Sequence, residues 1–581
     1  MCGIAGFSTK HRSPRLDLLK IMAKSLAHRG PDGEAIEIRD QVGLVHRRLS
    51  IIDLATGQQP LIDDAGRLLV VNGEIYNYLE LKQGFPEFKF RTQSDCEVIL
   101  ALYARYGLSF TDHLRGMYSL ALYDPTTQDL ILSRDLFGMK QLYYAQTPQG
   151  FIFASELQAI LETGLVRRDV DPEVRTELLQ LRYSTGQKTI FGGIQRLLPG
   201  ETLVIRQGEI IHRHQEKKKS QMSAVTSFEP ALDLYEQTFQ NSVQVHLRSD
   251  VPYGLFLSGG LDSGSLLAFM RRETSQKLRT YTIGFENKSV QDERGQAAKL
   301  SQHFQTDHTE INFSEQDFWS LLPQVIAAHD DPIFDQAMVP TFKLASVAAP
   351  DVKVILSGEG GDEMLAGYRR YQKVSWPTWL GGRLSRRHGS FRGTPMAPLL
   401  EPWRQNLDQL QSDALSRTST KVQAAQMIDL ESWLPNNLLL KLDRCLMHHG
   451  IEGRTPYLDR MIFDQLFTLP DTLKIRRGQG KWVLRQWLAR HLPLAEPFAK
   501  KKGFNVPVEA WIRGKANRLG TLVARQPGIE EFLRPEHVLE VFKNDKYGNV
   551  PWMLLSYALW HQRHVCNLPV VNDTLATLSL R

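Results

Sequence analysis

The chain opens with the segment MCGIAGF, in which Cys2 would become the N-terminal residue if Met1 were removed. An N-terminal cysteine can use its own α-amino group as a general base, because that amine has a pKa of about 8 and is partly neutral at working pH. Its thiolate could then attack an amide carbonyl. The other cysteines, Cys96, Cys445 and Cys566, are too widely spaced for a zinc motif or a disulfide framework, and we expect them to be buried. Cys2 is therefore predicted to be a nucleophile.

Polar residues in the first hundred positions could complete an amide-hydrolysing site. An oxyanion needs two hydrogen-bond donors, and the side chain of Asn72 with the backbone N–H of Gly73 could supply them. Arg48 suits an α-carboxylate, because a guanidinium binds it through two parallel hydrogen bonds. Glu74 and Asp95 suit the ammonium and carboxamide ends of an amino-acid substrate. Each residue taken alone is an ordinary loop residue, so the prediction depends on the set.

The segment PYGLFLSGGLDSGSLLAFM has the pattern of a phosphate-binding turn. An apolar strand ends at Ser258, Gly259 and Gly260 let the backbone turn tightly, and a helix begins near Asp262. Backbone N–H groups at such a turn, with a helix dipole behind them, form an anion site. No GK[ST] follows, so this is not a Walker loop. The complete motif SGGLDS resembles the PP-loop of ATP pyrophosphatases, which cleave ATP to AMP and pyrophosphate; a purely structural turn is the alternative.

A second segment, VKVILSGEGGDEMLAGYRRY, also runs from a buried strand into Ser-Gly and then carries acidic residues. Carboxylates beside a phosphate cradle would repel the substrate unless Mg²⁺ lay between them. We predict Asp262 and Asp362 as the metal ligands, and Glu359 as a general base near the acyl carbon. Lys481, in GQGKWVLRQW, is placed to neutralise departing pyrophosphate or an oxyanion. The alternative is a capped turn with solvated acids.

The elements around these motifs divide the chain into two regions. Up to about residue 205, short β-branched segments broken by Gly, Pro, Asn and Asp predict a strand-rich α+β sandwich. The segment HRHQEKKKSQMSAVTSFEP, with its lysine run, predicts a linker. From about residue 230, buried strands alternate with helical patterns, which favours a parallel α/β sheet, followed after about residue 430 by a mostly helical part. We predict domains at 1–210 and 230–581 and a linker at 211–229.

Composition narrows the class of protein. A chain of 581 residues is too long for one core, and 70 Lys and Arg against 64 Asp and Glu give a net charge of +6, which suits a nucleotide substrate. The stretches RRETSQK and RLSRRHGSFR lack regularly interleaved aromatic residues, so we expect no nucleic-acid partner and assign the basic loop at 381–393 no role. Without an export signal or an apolar run of about 18 residues, we expect a cytoplasmic protein and no membrane partner.

The whole set of motifs resembles the glutamine-hydrolysing asparagine synthetase family of the class B type, from MCGIAGF to KKGFNVPVEAW. The resemblance implies an N-terminal nucleophile glutaminase domain followed by an α/β PP-loop domain of the adenine nucleotide alpha hydrolase type. It also implies that glutamine is hydrolysed at Cys2 through a thioester. Ammonia would then pass through an interior tunnel to an acyl-adenylate that is made from ATP and a carboxylate.

The resemblance assigns two sets of binding residues, and it matches Glu359 to adenylate formation and ammonia attack and Lys481 to pyrophosphate. The glutamine-binding positions are Arg48, Leu49, Ser50, Ile51, Ile52, Asn72, Gly73, Glu74 and Asp95. The ATP-binding positions are Leu257, Ser258, Gly259, Gly260, Asp262, Ser263, Ile283, Ser357 and Gly358.

The sequence departs from the family pattern in RDLFGMKQLYY, where RDPFGIKPLYY is usual, and in EGRTPYLD, LMHHG and Gly264. None of these changes removes a group that the mechanism needs, but they leave the acceptor open. Aspartate is the expected acceptor, and the alternative is a different carboxylate in a cell-envelope or natural-product pathway. A non-catalytic binding protein of the same fold would have lost Cys2, Asp262, Asp362 or Glu359, and all are present. A homodimer is compatible with the sequence.

Overall fold

The computed structural model describes residues 2–10, 13–285, 293–500 and 506–580. Met1 and the first five residues of KKGFNVPVEAW lie outside these ranges. Two six-stranded antiparallel sheets make up the first region. In spatial order the first sheet contains Gln195–Arg196, Tyr143–Thr147, Gly150–Ala154, Gly3–Thr9, Val42–Arg48 and Gly33–Arg39. The second contains Glu209–Gln215, Glu201–Arg206, Asp129–Arg134, Gly116–Asp124, Leu68–Ile75 and Leu61–Ile62.

Alternate residues of these strands enter different cores, as the period of two in a strand requires. Ile4 packs in the core between the two sheets, whereas Ala5 and Phe7 pack outside it, with the helix Leu16–Ser25. In the second sheet Leu68 and Val70 face the inner core, and Leu69 and Val71 face the helix Val98–Tyr106. The arrangement is therefore a four-layer α/β/β/α sandwich, and both faces of each sheet are covered.

The second region is built on a five-stranded parallel sheet. Its strands in spatial order are Asp307–Phe313, Arg279–Phe285, Tyr253–Phe256, Val354–Leu356 and Glu452–Arg454. After Tyr253–Phe256 the chain first builds one side of the sheet and later returns to build the other. Such a switch point opens a crevice at the carboxyl ends of the two central strands. Both loops that the sequence singles out, SGGLDS and SGEGGDE, leave these two strands.

Helices cover the parallel sheet and form most of the C-terminal part. Those of eight or more residues are Phe228–His246, Leu261–Glu273, Arg294–Phe304, Glu315–Ala328, Met338–Ala348, Gln405–Arg417, Lys421–Ile428, Leu439–Met447, Trp482–His491, Ala516–Ala524, Pro535–Lys543 and Val550–His564. A π-helical segment, Asp429–Leu438, precedes Leu439–Met447. No helix among the described residues is long and apolar enough to cross a membrane.

Two expectations need correction. The strand Glu209–Gln215 extends five residues into the range predicted as a linker, because it pairs along its length with Glu201–Arg206. Cys566 is exposed rather than buried, because it follows the end of the helix Val550–His564 at the surface. Cys96 and Cys445 are buried, as expected.

A buried ionic network joins the two regions. Arg29 Nη1 donates to both Glu156 Oε1 and Asp443 Oδ2 at 2.8 Å. Arg444 donates to Glu156 Oε1 at 2.8 Å and to Asp330 Oδ1 at 2.9 Å. Arg29 and Glu156 belong to the sandwich, and the other three residues belong to the second region; all five are buried. The interface therefore contains buried charges whose pairing is completed across it, since Arg29 also binds Asp443 and Arg444 also binds Glu156.

Candidate active sites

Cys2 lies at the start of the central strand Gly3–Thr9 and is buried. Its backbone N–H donates to Asn72 Oδ1 at 3.2 Å, and its carbonyl accepts from Arg29 Nε at 3.2 Å. Within the described ranges the buried Asn72 Nδ2 atom donates no hydrogen bond. At Gly73 an added Cβ would lie 2.1 Å from the Met117 carbonyl oxygen, so only glycine fits. The cysteine thus has a spare amide donor and a glycine backbone beside it.

The environment of the thiol does not by itself favour the thiolate. Burial raises the pKa of the Cys2 thiol, and a backbone hydrogen bond from Leu49 acts against the shift. Deprotonation of such a thiol needs a base close to the sulfur atom. The α-amine that removal of Met1 would expose is such a base.

The residues that follow the strand Val42–Arg48 form one wall of this region. Arg48 is buried, and its Nη2 atom donates to the Asp53 carbonyl oxygen at 2.5 Å. Leu49 and Ile51 are buried, whereas Ser50 and Ile52 are half-buried. The predicted segment thus lies in one loop beside Cys2, with its arginine side chain already held.

Glu74 and Asp95 form an acidic pair on the other side of the Cys2 region, and an arginine of the second region lies beside Glu74. Arg454 Nη2 lies 3.3 Å from Glu74 Oε1, and Arg454 Nε donates to Glu452 Oε1 at 2.5 Å. Burial and the negative charges of Asp95 and Glu452 raise the pKa of Glu74 well above its ordinary value, and Arg454 opposes this shift. Asp95 Oδ2 accepts the Ile75 N–H at 2.7 Å. Arg454 was not predicted from the sequence. Its signal there is the Glu-x-Arg spacing, which puts both side chains on one face of the strand Glu452–Arg454.

In the second region the predicted ATP-binding residues surround one cleft of about 760 Å³. It is lined by Leu257, Ser258, Gly259, Gly260, Asp262, Ser263, Ile283, Ser357 and Gly358, together with Glu359, Asp362 and Lys481. The turn is closed by Ser263, whose Oγ accepts the Ser258 N–H at 3.2 Å. Gly259 has a φ of +69°, and a Cβ there would lie 2.9 Å from the Glu293 carbonyl oxygen. The motif therefore needs glycine for both backbone angle and space.

The two predicted metal ligands converge on one cation. Lys481 Nζ lies 2.5 Å from Asp262 Oδ2 and 2.7 Å from Asp362 Oδ1. Burial alone would lower the pKa of Lys481, but these carboxylates raise it above its ordinary value. A Cβ at Gly361 would lie 2.5 Å from Asp262 Oδ1, and one at Gly367 would lie 2.0 Å from Asp362 Oδ1. Glycine at both positions leaves room for this cluster of charges.

A second charged cluster lies at another part of the cleft wall, where Asp335 and Lys441, which were not predicted from the sequence, join Glu359, which was. Lys441 Nζ lies 3.1 Å from Asp335 Oδ2 and 3.6 Å from Glu359 Oε1. Burial raises the pKa of Glu359, and the charge of Lys441 opposes the shift. The signal in the sequence is a lysine within the apolar run NNLLLKLDRCLM, where a cation must be paired if it is buried. Together with Trp433 and Leu438, these residues line the cleft.

Comparison with known proteins agrees with this architecture. Residues 1–216 match a glutamine amidotransferase domain, and residues 234–562 match asparagine synthase. The chain is 28% identical to asparagine synthetase [glutamine-hydrolyzing] 1 of Bacillus subtilis (strain 168), over 97% of both chains. It is 30% identical to asparagine synthetase [glutamine-hydrolyzing] 2 of the same organism, over 85% of this chain and 70% of that one. It is also 28% identical to amidase chry2 of Gibberella zeae, over 88% and 89%.

An amidotransferase sandwich joined to a PP-loop sheet defines a two-part enzyme that moves nitrogen from glutamine with the use of ATP. The chain belongs to the asparagine synthase family. It is an ATP-dependent carbon–nitrogen ligase with glutamine as the donor of the amide nitrogen. The fold class expected from the sequence, an N-terminal nucleophile sandwich followed by an α/β PP-loop domain with a helical C-terminal part, is confirmed.

Proposed function

We propose that the protein converts aspartate to asparagine, with AMP, pyrophosphate and glutamate as the other products. The observation that carries this proposal is the Asp335, Lys441 and Glu359 cluster in the wall of the nucleotide cleft. An amino-acid acceptor presents an α-ammonium and an α-carboxylate, which suit Asp335 and Lys441. Glu359 then accepts a proton from the attacking ammonia at the acyl carbon, and its raised pKa makes it a stronger base than an exposed glutamate.

Glutamine hydrolysis is proposed to begin at Cys2 once Met1 is removed. The exposed α-amine takes the thiol proton, the sulfur attacks the carboxamide to form a thioester, and the proton is passed to the departing nitrogen, which leaves as ammonia. Water then hydrolyses the thioester to glutamate and frees Cys2. Asn72 Nδ2 and the Gly73 N–H donate to the oxyanion that develops. Arg48 binds the substrate α-carboxylate. Glu74 and Asp95 of the predicted pocket bind its ammonium and carboxamide, and Leu49, Ser50, Ile51 and Ile52 form the wall. Ammonia then passes inside the protein to the second site.

Adenylation is proposed to take place at the two glycine turns. Leu257, Ile283, Ser357 and Gly358 hold the nucleoside, and the turn Ser258–Gly260 with Ser263 donates to the phosphates. Asp262 and Asp362 would hold Mg²⁺, because this ion uses one or two carboxylates together with substrate phosphates. Bound there, the ion would neutralise charge on the phosphates during adenylation. Lys481 then stays with the departing pyrophosphate.

The fit to Mg²⁺ follows from the donor set. The described residues hold no group of three or more His, Cys, Asp or Glu side chains able to bind a metal alone. Two carboxylates do converge, however, on the position now taken by Lys481 Nζ, and glycines at 361 and 367 leave space around them. A site of this kind needs phosphate oxygens to become complete. We therefore expect metal binding to be strong only in the presence of ATP.

A second candidate keeps the same machinery and changes the acceptor to another carboxylate. Two observations favour it: the departures from the family pattern, and the amidase relative that matches along nearly its whole length. With either acceptor we expect the enzyme and its small-molecule substrates to be in the cytoplasm. A homodimer is compatible with the sequence.

The test is to incubate purified protein with ATP, Mg²⁺ and glutamine, with and without aspartate, and to measure pyrophosphate and asparagine. Aspartate-dependent formation of both supports the proposal. Glutaminase activity without aspartate-dependent pyrophosphate would reject aspartate and favour the second candidate. Lys441→Met should raise the KM for aspartate at least about tenfold, because a charge-assisted contact is lost. Lys343→Met, whose lysine pairs with Asp317 on a neighbouring helix, is the matched control.

A further inference from the structure

The segment between Glu363 and Glu401 has an unusual charge pattern. Residues 364–400 contain seven Lys and Arg and no Asp or Glu. We give the name Arg/Trp surface to the exposed side chains of Trp376, Trp379, Leu380, Arg383, Arg387 and Arg392. Arg383, Arg387 and Arg392 are exposed, and none of them forms an ion pair with another described residue. The positive charge of this surface is therefore available to a partner outside the chain.

The arginines of the Arg/Trp surface converge in space as well as in sequence. Slight desolvation and four arginines lower the pKa of His388, which is itself exposed. Those four are Arg392, Arg387, Arg383 and Arg404. Of these, Arg404 pairs with Asp408, so three remain without a carboxylate partner in the described structure. A concentrated positive potential results, because like charges are held close together at a solvated surface.

Next to the arginines is a turn that presents large apolar side chains to solvent. Trp379 is 81% exposed, Leu380 is 49% exposed and Trp376 is 46% exposed. The N–H groups of Leu380 and Gly382 both donate to the Pro377 carbonyl oxygen, at 2.9 and 3.2 Å. A Cβ at Gly382 would lie 1.8 Å from the Trp376 carbonyl oxygen, so the turn closes tightly. This short turn holds its apolar side chains outward.

The positive charge of the Arg/Trp surface and the shape of its turn together indicate which class of partner it binds. A second copy of the chain related by two-fold symmetry would place one basic cluster against another, which is unfavourable. A nucleic-acid strand stacks its bases on aromatic residues that line a groove, whereas these tryptophans stand on a turn beside an aliphatic leucine. Trp side chains favour the region between water and acyl chains, and arginines near a membrane are attracted to anionic headgroups.

We propose that the Arg/Trp surface binds anionic lipid headgroups, with Trp379 and Leu380 inserted into the interface. No membrane partner was expected from the sequence because it has no export signal and no long apolar run, and neither criterion detects a surface of this kind. The proposal does not depend on the acceptor. Tyr368 lines the nucleotide cleft, and the helix Arg369–Lys373 leads from it directly to the turn. A membrane bound at the turn would therefore be separated from the synthetase site by only this short helix of the chain.

The first experiment is co-sedimentation of the full-length protein with vesicles of phosphatidylcholine mixed with phosphatidylglycerol, and with vesicles of phosphatidylcholine alone. We expect binding only to the mixed vesicles, weakening as salt is raised, because the attraction is screened. Equal binding to both vesicles, or to neither, would overturn the proposal. So would binding to a single-stranded RNA oligonucleotide with no binding to the mixed vesicles.

Substitutions in the Arg/Trp surface distinguish the contribution of its positive charge to vesicle binding from that of the inserted side chains. Arg383→Glu with Arg387→Glu should weaken vesicle binding about tenfold or more, since each basic residue near the surface contributes roughly a factor of five. Trp379→Ala should weaken it about fivefold and abolish the blue shift of tryptophan emission on binding. Arg525→Glu with Arg534→Glu, an equal charge reversal at exposed positions elsewhere, is the control. Glutaminase activity reports that each variant is folded, and equal weakening by the control pair would contradict the proposal.

Discussion

The two candidate sites are built in opposite ways. Around Cys2 the groups are enclosed: Cys2 is 7% exposed, Asn72 is fully buried, and Glu74 depends on Arg454 from the other region. The nucleotide site is an open cleft, in which the Glu359 side chain is 26% exposed and the carboxylates are balanced by lysines of the same region. The glutaminase site therefore needs the synthetase region to be complete, whereas the nucleotide site carries its own neutralising charges.

This difference in charge balance predicts which of the two reactions, amide synthesis or glutamine hydrolysis, can proceed when the other region is disturbed. A site with its own balancing charges should accept free ammonia in place of glutamine. A site whose substrate-binding acid is balanced by the partner region should lose glutamine binding when that region is disturbed.

The largest expected effect is that of Cys2→Ala, which should abolish glutamine-dependent synthesis, because no other group can form the thioester. Ammonia-dependent synthesis should keep its rate, since the cleft is unchanged. Pyrophosphate formation with each nitrogen source measures both. Loss of both activities in a folded variant would reject the separation of the two sites.

Asp362→Asn should lower pyrophosphate formation about a hundredfold with either nitrogen source, because removal of a group that holds transition-state charge costs several kcal/mol. Glutaminase activity should change little. The exposed Asp545→Asn serves as the control. Unchanged ATP cleavage in Asp362→Asn would argue against a role in holding metal or phosphate.

Arg454→Lys tests the dependence of the glutaminase site on the other region. It keeps the positive charge but loses the planar fork that reaches Glu74 and Glu452. The KM for glutamine should rise about tenfold, and ammonia-dependent kcat should stay within about twofold. Arg460→Lys alters another contact between the regions, with Glu216, and should change neither. An equal loss of both activities in Arg454→Lys would show a merely structural role.

The last prediction concerns the free energy of unfolding rather than either activity. Burial and the charge of Asp362 raise the pKa of Glu363 to about 8. The folded state therefore holds its proton up to pH 8, the unfolded state releases it near its ordinary value, and stability falls as pH rises between the two. Glu363→Gln, a mimic of the protonated form, should match the wild type at pH 4 and exceed it at pH 8 by about 4 kcal/mol. Urea unfolding at both pH values measures this, with the exposed Glu530→Gln as control. Equal stability of Glu363→Gln and the wild type at pH 8 would contradict it.

Local patterns predicted residues that the structure brings together in each candidate site, because each motif joins an apolar strand to glycine and charged residues. The nine ATP-binding positions of the sequence analysis all line one cleft. Contacts between distant segments could not be predicted in this way. Gln141, noted only where a proline is usual, donates to the Pro435 carbonyl oxygen at 2.9 Å and accepts from Arg134 at 2.6 Å. Arg454, Asp335 and Lys441 were likewise missed, since their roles depend on what another part of the chain places beside them.

The ionic network between the regions has a consequence for how such an enzyme can change over evolutionary time. If either half were made as a separate gene product, Asp443 would lose Arg29, which donates to both of its carboxylate oxygens, and Glu156 would lose Arg444. Breaking a buried ion pair by removal of one partner costs several kcal/mol, a large part of the stability of a domain. Shuffling of one half onto a new partner would therefore demand several simultaneous substitutions at the join. We therefore expect the glutaminase and synthetase regions of this chain to have been inherited together.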